Sequence, residues 1–351
     1  MSIDVEDSIK GFVKAIERNG MFPFLSIYQS LVYSYLFFKK LIKTYNPDFL
    51  LVTGNLTLLP KSMAEKTIVY VHFPTPKDLK SSRVLRDYTS NIWKRLYIQP
   101  YLFISNNIGY DNNDDINLDY IKKATIITNS NYTKNAIKKV WNIDSTVIYP
   151  PCPQYSFPLE DKIKKIEQDT EMMTVCTLSR FVPEKEYDTI LQIAKERPQL
   201  KFELIGGVAE DKISYLNSLK NKASKNVTFH VNATVNQKME ILKRSNILIH
   251  SFKGEHFGIA LIEAMSAGII PVSHNSGAAK EDNIVEERFR YNDLDSALNC
   301  IDLAISEWNL DKASQLRQYA QNFSMENYNK NLKLFITNWI ESHSHLFKKK
   351  E

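Results

Sequence analysis

The stretch "YPPCPQYSFP", residues 149–158, carries four prolines in ten positions. Proline donates no backbone N–H and fixes its own φ, so this stretch continues neither a helix nor a central strand. On its N-terminal side, short apolar runs rich in β-branched residues alternate with longer helical patterns: "DFLLVTG" (48–54), "TIVYVHF" (67–73), "ATIITNS" (124–130) and "STVIYPP" (145–151). The rhythm then restarts with "MMTVCTLSR" (172–180), "KFELIGG" (201–207), "NVTFHV" (226–231), "NILIHSF" (246–252) and "IIPVSHN" (269–275). Strands that alternate with helices in this way specify parallel α/β sheets. Two Rossmann-like units are therefore expected, over 1–150 and 151–322, with 149–158 as the hinge between them.

The whole chain permits this. Its 351 residues, 43% hydrophobic and 24% charged, suit a two-domain globular enzyme and exclude a disordered or fibrous one. The three cysteines, Cys152, Cys176 and Cys300, stand far apart, which argues against a disulfide framework or zinc site and for a reducing compartment. The opening "MSIDVEDSIKGF" is mixed in charge, unlike a secretory signal. Residues 1–150 hold 19 Lys and Arg against 13 Asp and Glu, whereas the remainder holds 26 against 27. A basic N-terminal half suits an anionic membrane, a nucleic acid or solubility alone, and no recognisable nucleic-acid-binding motif interleaves its basic residues with aromatics. The segment "MFPFLSIYQSLVYSYLFFKKLIKTY" (21–45) is uncharged through Phe38 and then basic at Lys39, Lys40 and Lys43. It is short and polar for a bilayer span, so it reads as a core helix or one lying at a membrane interface.

Doubly wound sheets bind ligands beyond the C-terminal ends of their strands. Three polar residues follow strands in this way: His72 after "TIVYV", Arg180 after "MMTVCTLS" and Glu255 after "NILIHSF". In "EHFGIALIEAMSAG" (255–268), Gly258 opens a helix that Gly268 ends, and the free N–H groups near Ile259 and Ala260 favour an anion such as a diphosphate. Glu255 precedes that cradle, and Glu263 lies about 7.5 Å along the helix, at ~1.5 Å per residue. Two acceptor carboxylates on either side of a phosphate cradle suit a nucleotide sugar, one for sugar hydroxyls and one for the ribose. Arg180, and Lys185 in the turn opened by Pro183, supply positive charge for a departing diphosphate. No aspartate-rich motif calls for a metal, and no cofactor is expected.

The segments "SRFVPEKEYD", "FELIGG" and "EHFGIALIEAMSAGIIPVSHNSGAAKEDNIV" resemble the retaining glycosyltransferases of family 4, which have the GT-B fold. "FPFLSIYQS", "YVHFPTP", "TNSNYTKNAI", "VIYPPC" and "HNSGAAKEDNIV" resemble, within that family, the α-1,2-mannosyltransferases that extend the lipid-linked oligosaccharide of N-glycosylation. The resemblance implies two Rossmann-like domains facing each other across a cleft, the first binding acceptor and the second the nucleotide sugar. Residues 323–351 would carry a helix crossing back to the first domain. It implies a metal-independent hexosyltransferase with GDP-mannose favoured over UDP-sugars and a glycan acceptor, lipid-linked or else soluble or protein-linked; the location expected is cytoplasmic, free or at a membrane face, and the absence of a nucleic-acid-binding motif argues against a nucleic acid partner. Glu255 would orient the donor sugar, His72 would reach sugar and phosphate, Arg180 and Lys185 would stabilise the diphosphate, Glu263 would bind ribose, and the backbone of Gly258, Ile259 and Ala260 would hold phosphate. Residues 1–20 lack the strand and glycine-rich loop with which the family opens, so the first domain reads as abbreviated. The alternative is a non-catalytic, membrane-associated GT-B partner subunit of another glycosyltransferase.

Overall fold

The computed structural model describes residues 40, 42–53, 61–74, 92, 96, 118–160, 162 and 173–347. The expectations for residues 1–20 and for most of 21–45 lie outside them. Among the described residues, no helix is long and apolar enough to cross a membrane. They fall into two compact units. One holds the described residues up to Ile127 with Ala136–Thr146 and 343–347; the other holds Thr128–Asn135 and Val147–Ser342.

The first unit is built on a sheet of order β1-β2-β3-β4, from β1 (Leu50–Thr53), β2 (Thr67–Val71), β3 (Thr125–Thr128) and β4 (Thr146–Val147). β1 and β2 run parallel, with Leu50 opposite Thr67. All five residues of β2 are buried, as befits a strand covered on both faces. Helices α1 (Leu118–Lys123) and α2 (Asn131–Trp141) flank β3, and Ile121, Ile137 and Trp141 join Val69, Val71 and Ile126 in its core. Near the chain's end, the Lys66 ammonium lies 5.7 Å from the centre of the Phe347 ring.

The second unit has a six-stranded sheet of order β10-β9-β8-β5-β6-β7. Its strands are β5 (Thr174–Leu178), β6 (Lys201–Gly206), β7 (Val227–Val231), β8 (Ile247–His250), β9 (Ile270–His274) and β10 (Arg290–Tyr291), every neighbouring pair parallel. Counted from β5, this is the 3-2-1-4-5-6 order of dinucleotide-binding sheets. Helices α3 (Tyr187–Glu196), α4 (Ile213–Lys222), α5 (Val235–Arg244), α6 (Ile259–Ser266), α7 (Ala278–Glu281), α8 (Leu294–Glu307), α9 (Leu310–Ala320) and α10 (Met325–Ser342) complete it. Capping boxes start two of them, Thr234 with Gln237 on α5 and Asp293 with Ser296 on α8. The proline stretch forms no helix or strand, as its composition requires. The three cysteines are buried free thiols.

Among the described residues one carboxylate is fully buried, Glu203 on β6, which meets Arg244 at 2.9 Å, Lys201 at 3.2 Å and the His230 ring. Burial would raise its pKa, but His230, Arg244 and Lys201 outweigh that and hold it below the ordinary value. Beyond it β6 ends at Gly206, where an added Cβ would stand 2.0 Å from the carbonyl oxygen of Ser179, the residue just past β5. Gly206→Ala is expected to destabilise the protein by about 1–3 kcal/mol through forced separation of the two strand ends. A urea titration checks this, and an unchanged midpoint would show that the strand ends separate without cost.

Candidate functional site

The strand order reverses between β5 and β8, so the crevice beyond their C-terminal ends is the switch point at which such sheets bind ligands. β5 delivers Ser179, Arg180 and a 3-10 turn at Pro183–Lys185; β8 delivers His250 and the loop to Gly258. The turn closes because Glu186 takes the left-handed conformation, φ 48°, and so starts α3 directly after Lys185.

Glu255 is the centre of this site. Its Oε2 accepts hydrogen bonds from Lys185 Nζ and meets His250 Nε2, each at 3.0 Å, while Oε1 accepts from the backbone N–H of His256 at 3.1 Å. Lys185 also lies over the Phe252 ring, 3.8 Å from its centre. Burial would raise the Glu255 pKa, but the hydrogen bond and charge of His250, followed by those of Lys185, hold its carboxyl well below the usual carboxylate range. It is an anion throughout the neutral range, and 18% of its side chain remains exposed for a ligand to reach.

The loop that presents Glu255 is braced on every side. Ser251 Oγ donates to the Lys185 carbonyl at 2.5 Å, Ser276 Oγ accepts from Gly254 N–H at 2.9 Å, and Ala278 N–H donates to the Glu255 carbonyl at 2.8 Å. Gly277 lies so close that a Cβ there would stand 2.4 Å from the Glu255 carbonyl oxygen. Ser130 Oγ donates to the His256 carbonyl at 2.5 Å. One turn on, Asp282 accepts from the N–H groups of Asn131 and Tyr132, at 2.6 and 3.1 Å, and from the Tyr149 hydroxyl at 3.0 Å. A carboxylate thus caps α2, and the stretches "TNSNYT" and "AAKEDN" prove to be contact partners.

Gly258 precedes α6 with φ 95° and ψ 55°, a conformation that side chains disfavour. Its carbonyl accepts from Leu261 and Ile262, while the N–H groups of Ile259 and Ala260 have no partner among the described residues. Glu263 follows on the same helix and is 7% exposed. Its Oε1 accepts from the Tyr155 hydroxyl at 2.6 Å and from Lys238 Nζ at 2.5 Å. Burial, then the hydrogen bond to Glu263, raises the Tyr155 pKa and keeps the phenol protonated as a donor.

Of the residues expected from the sequence, Lys185 and Glu255 meet directly, and Gly258, Ile259, Ala260 and Glu263 form the adjoining turn and helix. Arg180 is exposed beyond β5 and makes no ion pair among the described residues. His72 belongs to the first unit, exposed just after β2, with its ring edge-on to Tyr70 at 5.2 Å. Sequence reasoning overlooked His250, Tyr155 and Lys238. A histidine closing an apolar strand five residues before Glu255 was a legible signal for the first; the others come from distant segments and left none.

Lys185→Met is expected to cost about 1.5–3 kcal/mol at pH 7, as the loss of one hydrogen bond to a charged group. Because folding depresses the Glu255 pKa, its contribution is full above the ordinary glutamate range and fades as pH falls below it. The stability gap between wild type and variant should therefore narrow from pH 7 to pH 3 in denaturant titrations; a constant gap would assign the effect to packing.

The family model for "Glycosyl transferases group 1" matches residues 159–323. A GDP-Man:Man(3)GlcNAc(2)-PP-Dol alpha-1,2-mannosyltransferase of Xenopus laevis is 32% identical over 175 residues, 46% of this chain and 36% of that protein. Its namesake in Dictyostelium discoideum is 27% identical over 242 residues, 62% of this chain and 47% of that protein. The chain thus spans about a third to a half of these curated relatives. A solved glycosyltransferase from Rickettsia africae superposes with a TM-score of 0.63 at 15% identity, covering 91% of this chain and 82% of that one. The fold is accordingly GT-B, two parallel α/β units, and the unit that carries Glu255 and Glu263 is similar to the group 1 glycosyl transferases.

Proposed function

We propose that this protein is a retaining hexosyltransferase that moves mannose from GDP-mannose to a lipid-linked glycan. The observation that carries the reading is the ionised Glu255 beside Lys185 at the switch point, followed by a glycine turn with two N–H groups that have no partner among the described residues, and then Glu263. That series offers an acceptor for sugar hydroxyls, cationic and N–H donors for a diphosphate, and an acceptor for a ribose, in the order a nucleotide sugar presents them. The names of the relatives describe mannosyl transfer from GDP-Man to a PP-Dol-linked acceptor, which favours the same donor and acceptor class here.

In this reading Glu255 orients the donor sugar, and Lys185 and Arg180 take up the negative charge that grows on the diphosphate as its bond to the anomeric carbon breaks. The N–H groups of Ile259 and Ala260 hold a phosphate, with Gly258 allowing its approach, and Glu263 binds the ribose. His72, on the first unit, is assigned to the donor sugar and phosphate. The acceptor hydroxyl attacks the face that the phosphate leaves, and a phosphate oxygen takes its proton, so no protein nucleophile and no metal is called for. The basic surplus of residues 1–150 suits work at an anionic membrane face, on its cytoplasmic side.

Calorimetric titration with GDP, GDP-mannose, UDP and UDP-glucose tests the donor, with tighter binding of the guanine series expected. Transfer of labelled mannose to lipid-linked oligosaccharide tests the reaction, and Lys185→Ala should lower kcat about 10²- to 10³-fold. Absence of binding by all four nucleotides would overturn the reading.

A further inference from the structure

We infer that Lys238, with Tyr155, forms a clamp that makes Glu263 discriminate for the ribose hydroxyls of the donor; this rests on the proposed donor reading. A carboxylate oxygen has about two lone-pair directions. Oε1 of Glu263 accepts from both Lys238 Nζ at 2.5 Å and Tyr155 Oη at 2.6 Å, which commits both. Oε2 accepts no hydrogen bond among the described residues and is the oxygen left to a ligand.

The two clamping groups arrive from different places. Lys238 stands on α5, one turn beyond the Thr234 cap, and Tyr155 on the proline stretch, which the Ser266 hydroxyl ties to α6 through the Pro153 carbonyl at 3.1 Å. Neither element can shift without turning the carboxylate. Burial, followed by the Glu263 charge, pushes the nearby Cys152 thiol up to about 12, so that neighbour adds no second negative charge beside the carboxylate that Lys238 meets at 2.5 Å.

Lys238 has further N–H groups beyond the one spent on Oε1, and its side chain is 27% exposed. A ribose hydroxyl is both donor and acceptor. Seated on Oε2, it donates to the carboxylate and accepts from the ammonium held at the same carboxylate. A deoxy sugar would leave Oε2 and the remaining N–H groups of Lys238 without a partner in a largely buried site, which is the arrangement that rejects an analogue lacking the hydroxyl. Lys238 is thus a specificity-determining residue as well as the positioning residue of Glu263.

The test compares binding of GDP with 2′,3′-dideoxy-GDP, and of UDP with 2′,3′-dideoxy-UDP, by calorimetry on wild type, Lys238→Met, Lys238→Arg and Glu263→Gln. Wild type should prefer the ribonucleotide about 10- to 100-fold. Lys238→Met should reduce that preference to within about 3-fold of unity while the phosphate contacts keep the dideoxy affinity unchanged, and Lys238→Arg should restore part of it. A preference that survives in Lys238→Met but disappears in Glu263→Gln would overturn the inference and leave the donor reading intact. Failure of wild type to bind either nucleotide would overturn both. A merely structural role for Lys238 would lower ribo and dideoxy affinities together, and that result also sinks the proposal.

Discussion

A negative charge has to stay ionised in a largely buried position at Glu255, and the second unit is arranged around that requirement. Such a charge survives only where cations and donors replace the water it has lost. His250, the last residue of β8, and Lys185, from the turn after β5, supply them. The carboxylate therefore ties together the ends of two adjacent strands, β5 and β8, whose connections depart in opposite directions. Gly277 follows from the same demand, because the backbone that carries Glu255 lies where a side chain would otherwise be.

Much of this was legible in the sequence for a simple reason. Strands of a parallel sheet are buried on both faces and read as largely apolar runs, and "TVCTL", "KFELIG" and "ILIH" stood out as such, the second despite its Lys201 and Glu203. Gly258 and Gly268 marked the ends of α6 because both adopt positive φ, which few other residues tolerate. The two-residue β10 left no pattern to recognise. The order of the strands was equally silent, since each run looks the same whichever neighbour it takes.

The site divides along the same line. Glu255, Gly258 and Glu263 share one short segment, so their spacing could be read as a phosphate cradle between two acceptors. What each carboxylate touches could not: Lys185 lies 70 positions from Glu255, and Tyr155 lies 108 from Glu263. Local periodicity carries no record of such pairings, which the fold alone creates. The same holds for Glu203, an acidic residue in the middle of an apolar strand, whose partners come from β6 itself, β7 and α5. That quartet is closed and 0% of the carboxylate is exposed, whereas Glu255 keeps an open side. Similar electrostatics close off the carboxylate in one place and leave it partly exposed in the other.

The burial of all three thiols has a practical side. Cys152, Cys176 and Cys300 are shielded, and burial pushes each thiol's pKa above its ordinary value, so little thiolate is available to a reagent. The folded chain is therefore a clean background for maleimide chemistry. A single cysteine introduced at an exposed position such as Val235 would take up a fluorophore there alone, with no native residue first removed. Label appearing on the native thiols would then report unfolding, residue by residue, in the same experiment.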